Sequence, residues 1–172
     1  AGWRRTMWRL NRFDFSEVSR DVLGHRYEEH LDPEERKAMG EFYTPTSVVD
    51  TILDEVGYTA DEPLEAPEYD LLDPACGSGT FLVRAATRLR DRLDEKGVPP
   101  REAIRILQNR LHGFDLNPFA THIAEMNLLF QVIDLYREVK ADDESYTLDR
   151  FSVYQTDSLR EDDPQTSLQV HD

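Results

Sequence analysis

The sequence predicts an α/β fold: an open parallel sheet of about three strands, entered through an upstream helical arm. Two observations carry that expectation. Short apolar runs at 69–73, 111–116 and 151–155 alternate with longer stretches of helical periodicity, and strands separated by helices pair in parallel through right-handed crossovers. Each short run also ends on, or just before, an acid: Asp73, Asp115 and Asp157. Ligands of an open parallel sheet bind beyond the carboxyl ends of its strands, so three acids in register there mark a candidate site.

Taken in order, residues 1–12 interleave aromatic and basic side chains, Trp3, Arg4, Arg5, Trp8, Arg9 and Arg12. Such a stretch suits either stacking on nucleic acid or a helix face packed on another part of the protein, and the second is the simpler. Val18, Val22, Leu23, Tyr27 and Leu31 keep helical spacing through 16–39, with Asp32-Pro33 restarting a short helix and Gly40 ending it. Thr44-Pro45-Thr46 opens the next helix, whose apolar face is Val48, Val49, Ile52, Leu53 and Val56, closed by Gly57. Residues 58–68 hold Pro63, Pro67 and four acids and read as a surface connection.

The first strand, Tyr69 to Asp73, runs into the loop Pro74-Ala75-Cys76-Gly77-Ser78-Gly79. A helix follows with Phe81, Leu82, Ala85, Ala86, Leu89 and Leu93 inward. Gly97-Val98-Pro99-Pro100 breaks it, and a second helix carries Ala103, Ile104 and Leu107. Leu111 to Leu116 is the second strand. Asn117-Pro118 starts a long helix with Ile123, Asn127, Phe130 and Ile133 on one stripe, and an acidic loop, Ala141 to Asp149, leads to the third strand, Phe151 to Gln155. The organisation is thus an arm at 1–39, an α/β unit at 40–159 and a polar tail at 160–172.

Composition bounds the function. A chain of 172 residues with 39% hydrophobic content is one domain with an arm. No apolar run reaches the ~20 residues a membrane helix needs, so no membrane role is expected. No apolar leader follows the basic start, and the single cysteine, Cys76, forms no internal disulfide; a cytoplasmic protein is the expectation. Acids outnumber bases 35 to 20, and residues 41–172 carry 27 of those acids against 12 bases. Lysine is scarce, at positions 37, 96 and 140 alone, a balance that suits a salt-rich, halophilic cytoplasm where counterions screen self-repulsion. It counts against this chain alone gripping duplex DNA, with one negative charge per ~1.7 Å.

Gly77 and Gly79 let the loop turn tightly and let a flat ligand approach its backbone. A dinucleotide fingerprint requires a third glycine where Leu82 stands, and a phosphate loop requires a lysine that is absent. Cys76 has no base placed beside it by sequence, so a small loop residue is the better reading than a nucleophile. His25, His30, His112, His122 and His171 keep no metal-ligand spacing, and no metal is expected.

The segment Asp73-Pro74-Ala75-Cys76-Gly77-Ser78-Gly79-Thr80-Phe81-Leu82 resembles the first motif of the adenine-specific DNA methyltransferases of restriction–modification systems. Gly40-Glu41-Phe42-Tyr43-Thr44-Pro45 resembles the motif that precedes it. Gly113-Phe114-Asp115-Leu116-Asn117-Pro118 resembles the second motif, and Gln155-Thr156-Asp157-Ser158-Leu159 the third, in the right order. The likeness reaches back through Val22-Leu23-Gly24-His25-Arg26-Tyr27-Glu28, spans Asp21 to Leu159, and is strongest to fused restriction–methylation enzymes and type I modification subunits.

That resemblance implies a Rossmann-like methyltransferase fold and S-adenosylmethionine as cofactor. It implies Asp73 and the backbone of Ala75 and Cys76 near the methionine moiety, under Thr44, Pro45 and Thr46, with Gly77 and Gly79 shaping the turn. Asp115 would accept from the ribose hydroxyls, Asp157 from the adenine amine, and Leu116 and Ser158 would flank the ring. It implies double-stranded DNA as a partner through other parts of the protein, with restriction or specificity subunits beside it. The Asn/Asp-Pro-Pro-Tyr/Phe motif that holds the target adenine in the family is not in this sequence; Val98-Pro99-Pro100-Arg101 has the wrong residues, in a helix-connecting turn. The expectation is the cofactor-binding portion of such an enzyme, inactive in isolation. The alternatives are a non-catalytic cofactor-binding or assembly module, and a methyltransferase of protein glutamine or RNA.

Overall fold

The structure is a computed structural model and describes residues 44–59 and 70–159. The expectations for the arm at 1–39, the segment Gly40–Tyr43, most of the 58–68 connection and the tail at 160–172 lie outside those residues. The described chain runs α1 (Thr46–Glu55), β1 (Leu71–Asp73), α2 (Thr80–Glu95), α3 (Pro100–Arg110), β2 (Leu111–Asp115), α4 (Pro118–Asp142) and β3 (Ser152–Gln155).

The three strands form one sheet in the order β1-β2-β3, all parallel. Leu71 pairs with Leu111 and Asp73 with Gly113, while Gly113 pairs with Val153 and Asp115 with Gln155. The alternating α/β expectation therefore holds, with strand ends trimmed by a residue or two. Asp70 precedes β1, Leu116 has left β2, and Phe151 is buried just ahead of β3.

Side chains alternate across a strand. Leu111, Gly113 and Val153 point to one face and are buried, whereas Leu72 (50% exposed) and Tyr154 (55%) point to the other. One face thus carries the core: Leu82, Leu89, Ile104, Leu107, Leu128 and Val132 lie within it, from α2, α3 and α4. Burying side chains of this size contributes roughly 1.5–3 kcal/mol each before entropy is charged.

Two helix faces differ from their sequence patterns. On α1 only Val49 and Leu53 are buried, while Val48, Ile52 and Val56 are exposed. The helix meets α2 along a narrow seam, because Asp50 and Asp54 on its flank are drawn to arginines of α2. On α4 the buried stripe runs through Ala124, Leu128, Gln131 and Val132 beside Ile123 and Asn127, leaving Phe130 and Ile133 half-buried. That helix packs against α2, α3 and β3 together, so apolar residues surround it and periodicity does not single out one face. In α2 the expected inward set is buried except Phe81, which is half-buried at its margin, and in α3 Ala103, Ile104 and Leu107 are buried as expected.

Candidate functional site at the strand ends

The carboxyl ends of β1 and β2 are joined by one carboxylate. Asp115 Oδ2 accepts from the Gly77 amide at 2.8 Å, and its Oδ1 accepts from the Asn117 amide at 2.8 Å. The Asp115 carbonyl accepts from the Thr156 amide at 2.9 Å, and the Cys76 amide donates to the Phe114 carbonyl at 2.8 Å. Loops after all three strands therefore converge on Asp115. An ionised carboxylate has about four acceptor positions, so two remain for a ligand.

Asp73 sits at the neighbouring strand end and accepts from the Ala75 amide at 3.2 Å, which turns the chain out of β1. Burial pushes its carboxyl up, the Ala75 hydrogen bond opposes that shift, and the charge of Asp115 adds to it. The loop then passes through Gly77 (φ 52°) and Gly79 (φ 91°), both left-handed. The Gly79 amide donates to the Cys76 carbonyl at 2.8 Å, and Gly79 is also the N-cap of α2. Beneath the turn, the buried Asn127 of α4 donates from Nδ2 to the Ser78 carbonyl at 3.0 Å. Sequence periodicity put Asn127 on an inward stripe and gave it no role; a buried amide in an apolar helix is itself the signal, since such a group needs a partner.

The third acid behaves differently. Asp157 is exposed, and its Oδ1 accepts from Leu159 in its own turn at 3.1 Å. Ser158 is exposed beside it, and Leu116 is 66% exposed, its carbonyl accepting from Gln155 Nε2 at 3.3 Å. Thr44 and Thr46 are half-buried and Pro45 exposed, with the Pro45 carbonyl accepting from the Val48 and Val49 amides at 2.8 and 3.1 Å to start α1. Asp73, Ala75, Cys76, Gly77, Gly79 and Asp115 thus form one bonded cluster, while Asp157, Ser158 and Leu116 form its exposed rim.

Cys76 is buried, with its sulfur against Gly113 of β2. Burial, then Asp73, then Asp115 push its thiol up to about 12. A thiol held protonated at neutral pH is not a nucleophile. The expected result is that Ellman's reagent at pH 8 labels Cys76 only after denaturant is added. Rapid labelling of the folded chain would overturn the assigned environment. The same shift sets a stability slope: the unfolded thiol ionises near 9.0 while the folded one keeps its proton. Stability is therefore complete below about pH 9 and is lost toward pH 12, by up to about 1.4 kcal/mol per unit. Tyr58, also raised to about 12 by burial, adds to the loss above pH 10.

The two carboxylates can accept hydrogen bonds, beside a backbone turn with open space at Gly77. Among the described residues there is no group of three or more His, Cys, Asp or Glu arranged to hold a metal. Nor is any described helix long and apolar enough to cross a membrane.

Comparison with known proteins gives the family of the chain. The profile of the N-6 DNA Methylase family matches residues 18–165, and the chain belongs to that family. It is 41% identical over 95 residues to the type II methyltransferase M.BstVI of Geobacillus stearothermophilus, covering 55% of this chain and 15% of that protein. It is 33% identical over 147 residues to the methylase subunit of the type I restriction enzyme MjaIX of Methanocaldococcus jannaschii, covering 80% of this chain and 23% of that one. Among solved structures, the ATP-dependent type ISP restriction-modification enzyme LlaBIII bound to DNA shares the fold. Its TM-score is 0.50 at 23% identity, over 67% of this chain and 8% of that one. The chain thus spans less than a quarter of the length of these relatives.

Proposed function

We propose that this chain is the S-adenosylmethionine-binding portion of a site-specific DNA adenine methyltransferase in a restriction–modification system. The observation that carries the reading is the partly exposed Asp115 carboxylate at the junction of three strand-end loops, each of its oxygens holding one backbone amide beside a glycine turn. When bound, the cofactor supplies an electrophilic methyl group; the residues of the chain hold and orient it. Asp115 accepts from the two ribose hydroxyls, and Asp73 with the Ala75 and Cys76 backbone faces the methionine moiety. Thr44, Pro45 and Thr46 close over that moiety, and Gly77 and Gly79 keep the turn low enough for the ligand to lie on it. Asp157 accepts from the adenine amine at the exposed rim, with Leu116 and Ser158 against the ring.

The donor set fits this group. Two carboxylates match the hydroxyl and ammonium donors of the cofactor, and the neutral thiol of Cys76 does not compete for its methyl group. Methyl transfer to adenine, duplex DNA binding and association with restriction or specificity subunits are proposed for the whole protein. The chain by itself binds cofactor and transfers nothing, because the Asn/Asp-Pro-Pro-Tyr/Phe motif is not in its sequence.

The test is a calorimetric titration of S-adenosylmethionine into the chain in molar potassium chloride. Saturable one-to-one binding is expected. No heat from a chain that circular dichroism reports as folded would overturn the proposal.

A further inference from the structure

The helix that carries Thr46 is locked to the glycine-turn helix by a ladder of arginines. Arg84 of α2 grips Asp50 of α1 with both ends of its fork, Nε to Oδ1 at 2.9 Å and Nη2 to Oδ2 at 2.8 Å. One turn on, Arg88 donates from Nη1 to Asp54 at 2.6 Å and to the Tyr58 carbonyl at 2.9 Å. Its Nη2 donates to the Asp50 carboxylate and carbonyl, both at 3.2 Å. A further turn on, Arg92 Nη2 reaches the Thr59 carbonyl at 2.5 Å.

The rungs advance together along both helices, so α1 and α2 run parallel. Asp50 lies four residues after Thr46, the start of α1, and Arg84 lies four after Thr80, the start of α2. Thr46 and Thr80 thus stand the same number of residues ahead of the Asp50–Arg84 rung. The ladder therefore sets where Thr44, Pro45 and Thr46 stand relative to α2, whose first residue follows the glycine turn.

The apolar seam does not fix that alignment alone. Val48, Val49, Ile52, Leu53 and Val56 make a continuous apolar band, and a slide of one turn, about 5.4 Å, still offers apolar side chains to α2. A bidentate guanidinium–carboxylate pair is directional and admits one register.

We infer that Asp50, held by Arg84 and Arg88, is a positioning residue that sets the register of α1 on α2 and thereby places Thr44, Pro45 and Thr46 over the cofactor's amino-acid end. The inference rests on the reading of the site given above. It makes a selective demand: losing the register weakens contacts to the methionine moiety and spares those to adenosine.

The experiment titrates the whole chain with S-adenosylmethionine and, separately, with 5′-methylthioadenosine, which keeps the nucleoside and lacks the amino-acid group. Asp50→Asn is expected to weaken S-adenosylmethionine roughly tenfold, as when α1 is in register about a tenth of the time, and to change 5′-methylthioadenosine less than about twofold. Arg84→Lys, which keeps the charge and loses the fork, gives the same selective loss. Asp50→Glu restores most of the affinity. Glu125→Gln, which breaks the Arg150–Glu125 pair elsewhere on the surface, changes neither ligand. Equal loss of both ligands in the Asp50 and Arg84 variants, or unchanged affinity for S-adenosylmethionine, overturns the positioning role. If the wild-type chain binds neither ligand, the reading of the site fails first and the inference falls with it.

Discussion

Gly79→Ala is expected to remove about 2–4 kcal/mol of folding stability, the sum of backbone strain and overpacking. Gly79 has φ 91°, a conformation that side chains other than glycine adopt at a cost of roughly 1–2 kcal/mol. A β-carbon there would also lie 2.9 Å from Ala124 Cβ and 3.1 Å from Ala124 Cα, so α4 itself would have to move. Displacing α4 strains the Asn127–Ser78 hydrogen bond, which holds the same turn from below. Gly77 is the internal comparison, with φ 52° and open space where a β-carbon would go. Gly77→Ala carries the backbone term alone, about 1–2 kcal/mol. Urea titrations of the two variants beside wild type check the difference. Equal losses would mean that α4 gives way freely and that close packing against Ala124 is not what requires glycine.

That contrast marks what the sequence makes legible. Strand–helix alternation and the acids at strand ends are local patterns, so the parallel sheet and the cluster of Asp73 and Asp115 follow from reading along the chain. Two glycines two residues apart likewise announce a turn. Which of them is pressed by α4 is not written locally, because Ala124 lies 45 residues downstream and approaches only through tertiary packing.

The same limit hid the arginine ladder. Asp50 and Arg84 look like surface charges in their own helices, and nothing local couples positions 34 residues apart. It also misassigned α1. The pattern offered five apolar residues for one face, but α1 pairs Asp50 and Asp54 with arginines of α2 and buries only Val49 and Leu53. For Asp157 the sequence put an acid in register with the others, and the structure leaves it on the exposed rim, closing its own turn.

The Asp115 variants separate the structural work of that carboxylate from its proposed work on the cofactor. Asp115→Ala removes acceptors from the Gly77 and Asn117 amides, and charge-assisted bonds of this kind contribute roughly 1.5–3 kcal/mol each. Both amides are partly open to water, which recovers some of that, so a loss of about 2–4 kcal/mol is expected. Asp115→Asn keeps one acceptor oxygen and turns an amino group toward a backbone N–H, so one of the two bonds fails and the loss is about half as large. Affinity for S-adenosylmethionine is a second, independent quantity. The ribose hydroxyls need the acceptor positions that the backbone amides leave open; asparagine keeps one of them on its oxygen and its amino group offers none. Both variants are therefore expected to weaken the cofactor, asparagine by about one decade and alanine by about two. Denaturant midpoints and calorimetric titrations on the same samples give the two quantities independently. If Asp115→Asn binds as wild type while losing stability, Asp115 is only the fastener of three loops and the ribose contact must be sought elsewhere at the strand ends. If affinity falls in both variants and stability tracks the number of bonds lost, one carboxylate serves as fastener and as ligand.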